Sequence, residues 1–243
     1  MKLIKLNAIA STSSFLKEMA QNSALENFTV VTTKEQTKGR GQQSNSWISE
    51  PHKNLTISVF IKDFDLEIHQ QKYLNFAISL AIFNVLLEEE IPKPSIKWPN
   101  DILSAKNKIC GILIENNIRN HKIYATIVGI GLNVNQTEFP EFLKNVTSLK
   151  KIKDFNFNLD ALLLRLIEKI KEKIQLLVSK KYEELENDYL KVLYKKNIPT
   201  MFKDSNDVLF MGIITGISNS GNLLVELEDE TVKEFGIKEI SLA

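Results

Sequence analysis

The chain has 243 residues, 43% of them apolar and 25% charged, with a net charge of +1. That length allows a sizeable core, in one large domain or in one domain with a small appendage, and the balanced charge gives no global argument for nucleic acid. No apolar stretch is long enough to span a bilayer, and the N-terminal Met1 to Asn7 lacks the apolar region and cleavage site of a signal peptide, so the expected location is cytoplasmic, with no membrane partner. The single cysteine, Cys110, excludes an internal disulfide; with no histidine near it in sequence, its expected place is a buried strand.

In chain order, Leu3 to Leu6 reads as a strand leading into Ser11-Thr12-Ser13-Ser14, hydroxyls of the kind that cap the helix expected over Phe15 to Gln21. Thr29 to Thr33 is a β-branched strand, and Lys34 to Ser46 is a long polar loop with two glycines, a length usually tied to function. Asn54 to Ile61 returns to a strand. Leu66 to Glu90 then places Leu74, Ala77, Ile78, Ala81, Ile82, Val85 and Leu86 at helical spacing, as the principal core helix. Ser95 to Trp98 is a short strand with Trp98 extended before proline, Pro99-Asn100 a turn, and Ile102 to Ile114 a hairpin through Ser104 to Asn107. Tyr124 to Val134 is an apolar strand, and Asp160 to Ser179 and Tyr182 to Tyr194 are helices with Lys/Glu faces. After residue 194 the pattern changes to short strands at Ile198 to Phe202, Val208 to Ile217, Leu223 to Leu227 and Val232 to Phe235, the spacing of a small barrel. That tail has five lysines against eight Asp/Glu, so residues 1–194 and 195–243 are expected as separate domains.

Chemistry concentrates between Lys97 and Glu115, where Lys97-Trp98-Pro99-Asn100-Asp101 precedes Lys108-Ile109-Cys110-Gly111. A lysine is a mobile point charge for phosphate oxygens, a carboxylate can hold a metal, and a glycine inside an apolar strand marks close approach by a ligand or backbone. In the polar loop, Gly39-Arg40-Gly41 lets backbone N–H groups converge on an anion while the guanidinium forks onto it; it matches neither the Walker pattern nor the dinucleotide fingerprint. Gly129 and Gly131 interrupt another strand just before Asn133. His52, His69 and His121 are scattered without zinc spacing, and no nucleophile elbow of the Gly-x-Ser-x-Gly type occurs.

Taken in order, Ser11-Thr12-Ser13, Gly39-Arg40-Gly41 with Trp47, Lys97 to Asp101, Lys108-x-x-Gly111-Ile-Leu-x-Glu115 and Gly129-x-Gly131-x-Asn133 resemble the biotin protein ligases, of the monofunctional type. The resemblance implies an α+β fold: a class II synthetase-like mixed sheet backed by helices, then a small SH3-like β-barrel ending in Gly236 to Leu242. It implies ATP and Mg²⁺, and a two-step reaction through biotinyl-5′-AMP that attaches biotin to a lysine of a biotin carboxyl carrier domain. Lys108 and Arg40 are then the catalytic residues. Ser11, Thr12, Ser13, Gln36, Gly39, Arg40, Gly41, Lys108, Gly111, Leu113, Gly129 and Gly131 match the biotin side; Arg40, Gln42, Trp98, Asn100, Asp101, Lys108 and Asn133 match the nucleotide side, with Asp101 also placed at Mg²⁺.

The usual Gly-Arg-Gly-Arg-Arg-Gly stands here as Gly39-Arg40-Gly41-Gln42-Gln43-Ser44, and the expectation from Gln42 is a weaker hold on the adenylate. Ser13 replaces a common asparagine, and the chain ends at Ala243 without the terminal arginine of some members. A winged helix-turn-helix is not part of the sequence, so no DNA partner is expected; the state is monomer or homodimer. The runner-up is a lipoate or octanoate ligase, whose apolar ligand end suits Ser11, Thr12 and Gln36 less well. A degenerate carrier-binding regulatory protein comes third, opposed by the presence of Lys108, Arg40 and Asp101.

Overall fold

The computed structural model describes residues 1–243, except for the side chain of Ser44. Its first sheet has seven strands in the order β1 (Leu3–Ile9), β2 (Thr29–Gln36), β3 (Leu55–Glu67), β7 (Lys122–Leu132), β6 (Asn107–Arg119), β5 (Asp101–Ser104) and β4 (Pro94–Lys97). Only β1 and β2 run parallel, and parallel neighbours need a crossover; helix α1 (Thr12–Asn22) supplies it.

The two faces of this sheet are covered differently, as the strand alternation dictates. Ile57, Val59 and Ile61 of β3 and Val128, Ile130 and Leu132 of β7 point to the main core. There they meet α2 (Gln71–Glu88), which is backed by α4 (Leu159–Val178) and α5 (Tyr182–Lys191). The seven apolar positions expected on α2 are all buried, and so are Phe76, Leu80 and Phe83, so α2 is apolar nearly all round and runs through the interior. On the opposite face, Phe60, Ala125 and Ile127 pack with Leu16 of α1 in a smaller cluster.

The helix expected from Leu66 begins later. Leu66 and Glu67 end β3, a single 3₁₀ turn covers Ile68–Gln70, and Gln71 opens α2. An irregularity between Lys62 and Leu66 carries β3 past its expected end, and the left-handed Asp63 within it allows the chain to bend. Helix α3 (Leu149–Lys153), capped by Ser148, has no counterpart among the expected elements.

The second sheet contains β8 (Pro199–Asp204), β9 (Leu209–Ile217), β10 (Leu223–Leu227), β11 (Val232–Phe235) and β12 (Ile240–Leu242), in the antiparallel order β11-β10-β9-β8-β12. Its strands follow the expected spacing, with β12 added. Pairing between β11 and β12, which would close a barrel, is absent among the described residues; Ile237 and Ile240 form one isolated bridge. The Trp98 indole donates to Gly221 O at 3.0 Å, tying β4 to the second sheet.

Candidate active site

Beyond α1, the smaller-cluster face of the first sheet continues as a cavity of about 230 Å³. Its floor is two rows running across the strands. Ser58, Gly129 and Leu113 are register partners in one; Thr56, Gly131, Gly111 and Asp101 in the other. The glycines are needed because other groups lie where side chains would be. A Cβ on Gly129 would stand 2.7 Å from Ser13 Oγ, one on Gly111 would stand 3.1 Å from the Trp47 ring, and one on Gly131 would clash with that ring.

The end of the cavity beneath α1 is polar. Ser11 is the N-cap of α1 and accepts from the Ser14 amide at 3.3 Å. The helix start presents Thr12 and Ser13 to Gln36 and Ser58. Gln36 Oε1 accepts from the Thr12 amide at 2.9 Å and from its hydroxyl at 3.2 Å. Ser58 Oγ lies 2.8 Å from Thr12 Oγ1 and 2.9 Å from Ser13 Oγ. Three adjacent hydroxyls can donate or accept as a ligand requires.

The opposite end holds charge. Lys108 Nζ is 2.5 Å from Asp101 Oδ1 and 5.8 Å from the Trp47 ring centre. A bulge aims this lysine. Ile102 pairs with Cys110 and Leu103 with Lys108, so Ile109 is an extra residue in β6. Strict alternation from Gly111 and Leu113 would turn Lys108 into the core; the inserted residue turns it back to the cavity while Ile109 and Cys110 both stay buried. Burial pushes the Cys110 thiol up, which leaves it an inert packing group, as its sequence setting suggested.

The loop after β2 is a small closed structure rather than an irregular span. Arg40 bridges Ser46, the Gly41 amide donates to Asn45 O at 2.6 Å, and the Trp47 amide donates to Gly39 O at 3.0 Å. This carries the Trp47 ring onto the glycine floor, with Gln42 and Gln43 also on the lining. Arg40 forks onto Glu115 of β6 at 3.1 and 3.3 Å, and Lys17 stands 3.6 Å from the same carboxylate.

Of the residues expected at the site, Ser11, Thr12, Ser13, Gln36, Arg40, Gly41, Gln42, Asn100, Asp101, Lys108, Gly111, Leu113, Gly129 and Gly131 line the cavity. Gly39 lies behind the loop, where a Cβ would run into the Trp47 carbonyl and meet the Gln36 amide at 2.7 Å. Trp98 faces the cleft toward the second sheet. Asn133 is buried behind Lys108: it donates to Thr147 O at 3.1 Å, and the strap it holds pairs with Lys108 through Asn145 and Thr147. Asn100 turns its amide inward to Ile112 O at 2.6 Å. Among the described residues no three His, Cys, Asp or Glu side chains gather as a metal site, and Asp101 is a single carboxylate facing Lys108.

Thr56 and Ser58 belong to this arrangement but were not among the expected site residues; Trp47 and Glu115 join it from the motifs that carry the resemblance. Thr56 and Ser58 alternate with apolar residues, a pattern that ordinarily reads as a solvent face. Their burial comes from α1, which the strand pattern cannot reveal.

A glycine-floored cavity with hydroxyls at one end and Lys108 at the other is suited to a small molecule with a polar head and an anionic tail. The Biotin/lipoate A/B protein ligase family model matches residues 6–133, and the chain belongs to that family. It is 35% identical over 152 residues to the bifunctional ligase/repressor BirA of Bacillus subtilis, which covers 61% of this chain and 46% of that protein. Identity to the biotin–[acetyl-CoA-carboxylase] ligase of Mycobacterium tuberculosis is 28% over 134 residues, 54% of this chain and 48% of the relative. The chain thus spans about half the length of these curated relatives. The biotin protein ligase of Aquifex aeolicus, solved with biotin and ATP, superposes with a TM-score of 0.81 at 29% identity, covering 100% of this chain and 98% of that one. No helix among the described residues is long and apolar enough to cross a membrane.

Proposed function

We propose that the protein is an AMP-forming biotin–[biotin carboxyl-carrier protein] ligase, with residues 1–194 as the catalytic unit and 195–243 as an appended C-terminal unit. The observation that carries this reading is the polarity of the cavity: the hydroxyls of Thr12 and Ser13, held from behind by Ser58, at one end and Lys108 at the other, joined by a floor of glycines. A ureido ring needs donors and acceptors at the far end of its pocket, whereas a dithiolane or alkyl chain would gain nothing from polar groups there and would cover them without replacing their contacts with water. Similarity to a ligase solved with biotin and ATP supports the same choice.

In the first step a biotin carboxylate oxygen bonds to the α-phosphorus of ATP and the bond to pyrophosphate breaks. Both reactants are anions, so fixed positive charge is the main requirement. Lys108, beside Gly111 and steered by Asp101, is the cation we assign to the carboxylate and α-phosphate together. Arg40 adds a second cation on the loop, held by Glu115. Mg²⁺ commonly takes one or two protein carboxylates and completes its shell with phosphate oxygens and water, and Asp101 fits that modest share. Bound there, the ion would offset phosphate charge and orient the leaving group. In the second step the carrier lysine amine attacks the acyl carbon, the bond to the phosphate oxygen breaks, and AMP leaves. Trp47 and the loop shield the anhydride from water in the interval.

The test is to incubate the protein with ATP, Mg²⁺ and a folded biotin carrier domain, with biotin or lipoate, and weigh the carrier. A biotin-sized gain is expected. A lipoyl gain, or no gain with either acid, would overturn the reading.

A further inference from the structure

Resting on the ligase reading above, we propose that Asn75 of α2 is a positioning residue for the first chemical step: it holds the turn at residues 99–101 from behind, and through Asp101 it sets where Lys108 stands. It lies outside every motif that carries the resemblance. Its side-chain amide donates to Pro99 O at 2.7 Å, and Pro99 borders both the cavity and the cleft beside it.

Packing of α2 does not explain this side chain. From residue 74 to residue 83 the helix is apolar except at Asn75 and Ser79, and Leu74, Phe76, Ala77, Ile78 and Ser79 are all buried. An amide in such surroundings gives up contacts with water and favours the helix less than leucine would. A residue chosen against the local structure is expected where a site requires it. Ser79, one turn on, places its hydroxyl 3.5 Å from Asn75 Oδ1, which engages the oxygen and leaves the nitrogen for Pro99.

The other hold on the turn comes from the floor of the cavity. Asn100 O accepts from the Ile112 amide at 3.0 Å, and the Asn100 side chain donates to Ile112 O at 2.6 Å. Consecutive residues are thus pinned to different elements, Pro99 to the core helix and Asn100 to the strand that carries Lys108 and Gly111. Asp101 follows directly, in register with Gly111 and with its carboxylate on Lys108. Without the hold from α2 the turn is tied to β6 alone and can shift against the cavity. A displacement of about 1 Å near a reacting group costs up to about 10²-fold in rate.

Asn75→Leu in the full chain removes the donor, keeps a side chain of similar size and suits the apolar helix, so its thermal midpoint is expected at or above that of the wild type. The kcat of biotin-dependent pyrophosphate exchange is expected to fall about tenfold, with biotin affinity unchanged. Amide hydrogen exchange gives a readout that needs no turnover. Ile112 is expected to exchange about tenfold faster, while Val59 and Val128 of the β3–β7 ladder stay as protected as in the wild type. Asn75→Ala, without the branched side chain, is expected to give the same two changes. Unchanged Ile112 exchange in both variants, or an unchanged kcat, would overturn the proposal. So would lost protection at Val59 and Val128, since Asn75 would then be a general stabiliser. Absence of pyrophosphate exchange in the wild type strikes the ligase reading by itself, and Ile112 then still decides whether Asn75 holds the turn.

Discussion

At the scale of single residues, Lys108 is the group whose surroundings are least explained by packing. It is half-buried, paired with a carboxylate that is itself only partly exposed, and pressed toward a glycine that leaves room for something else. If it stabilises charge at the α-phosphate, Lys108→Ala should lower the rate of biotin-dependent pyrophosphate exchange by about 10²–10³-fold, the range for removing one fixed donor from a reacting centre. The fold should hold, because a partly exposed ion pair contributes only about 0–1 kcal/mol. Exchange kinetics beside a thermal melt would decide it; an unchanged rate removes Lys108 from the chemistry. The existence of this lysine and the glycine three residues on were legible in the sequence. Its direction was not, because the bulge at Ile109 reverses the alternation that a strand reading assumes.

At the scale of elements, the strands and helices follow periodicity closely, and the departures have identifiable causes. The expected helix start at Leu66 fails because an irregular β3 continues through apolar residues that suit either state, with the helix opening only after a 3₁₀ turn. Asn133 shows how a correct motif residue can serve a different purpose. The sequence placed it on the nucleotide, yet its amide holds Thr147 O, and the strap it secures pairs with Lys108 on both sides of the peptide unit. Asn133→Ala should therefore cost about 1–3 kcal/mol by leaving a buried carbonyl unsatisfied, visible as a lower midpoint in denaturant. ATP affinity measured on the folded variant should change little. A lost ATP affinity at unchanged stability would return Asn133 to direct contact with the nucleotide. Ser58 could not be assigned from the sequence at all, because its role depends on which helix crosses β3.

At the scale of the whole molecule, the two sheets meet at Trp98, whose neighbour Pro99 borders the cavity while its indole reaches Gly221. Trp98→Phe keeps the ring packing and removes the donor. The expected loss is about 1 kcal/mol, or roughly 2–4 °C in midpoint for a chain of this size, and a calorimetric scan would show it; a midpoint unmoved would mean the contact does not couple the sheets. The site itself joins the β6–β7 hairpin to β3, which lies beside β7 in space but is distant from it in sequence. Thr56, Gly131 and Gly111 meet only once these pairings are in register. Contacts of such separation form late and together, since loop closure must precede them. The hydroxyl end and the charged end therefore come together only when β3 and α1 dock on the β5–β7 segment. Any ligand of the cavity must act as a stabiliser of the entire first sheet, raising its midpoint in proportion to the logarithm of ligand concentration above Kd.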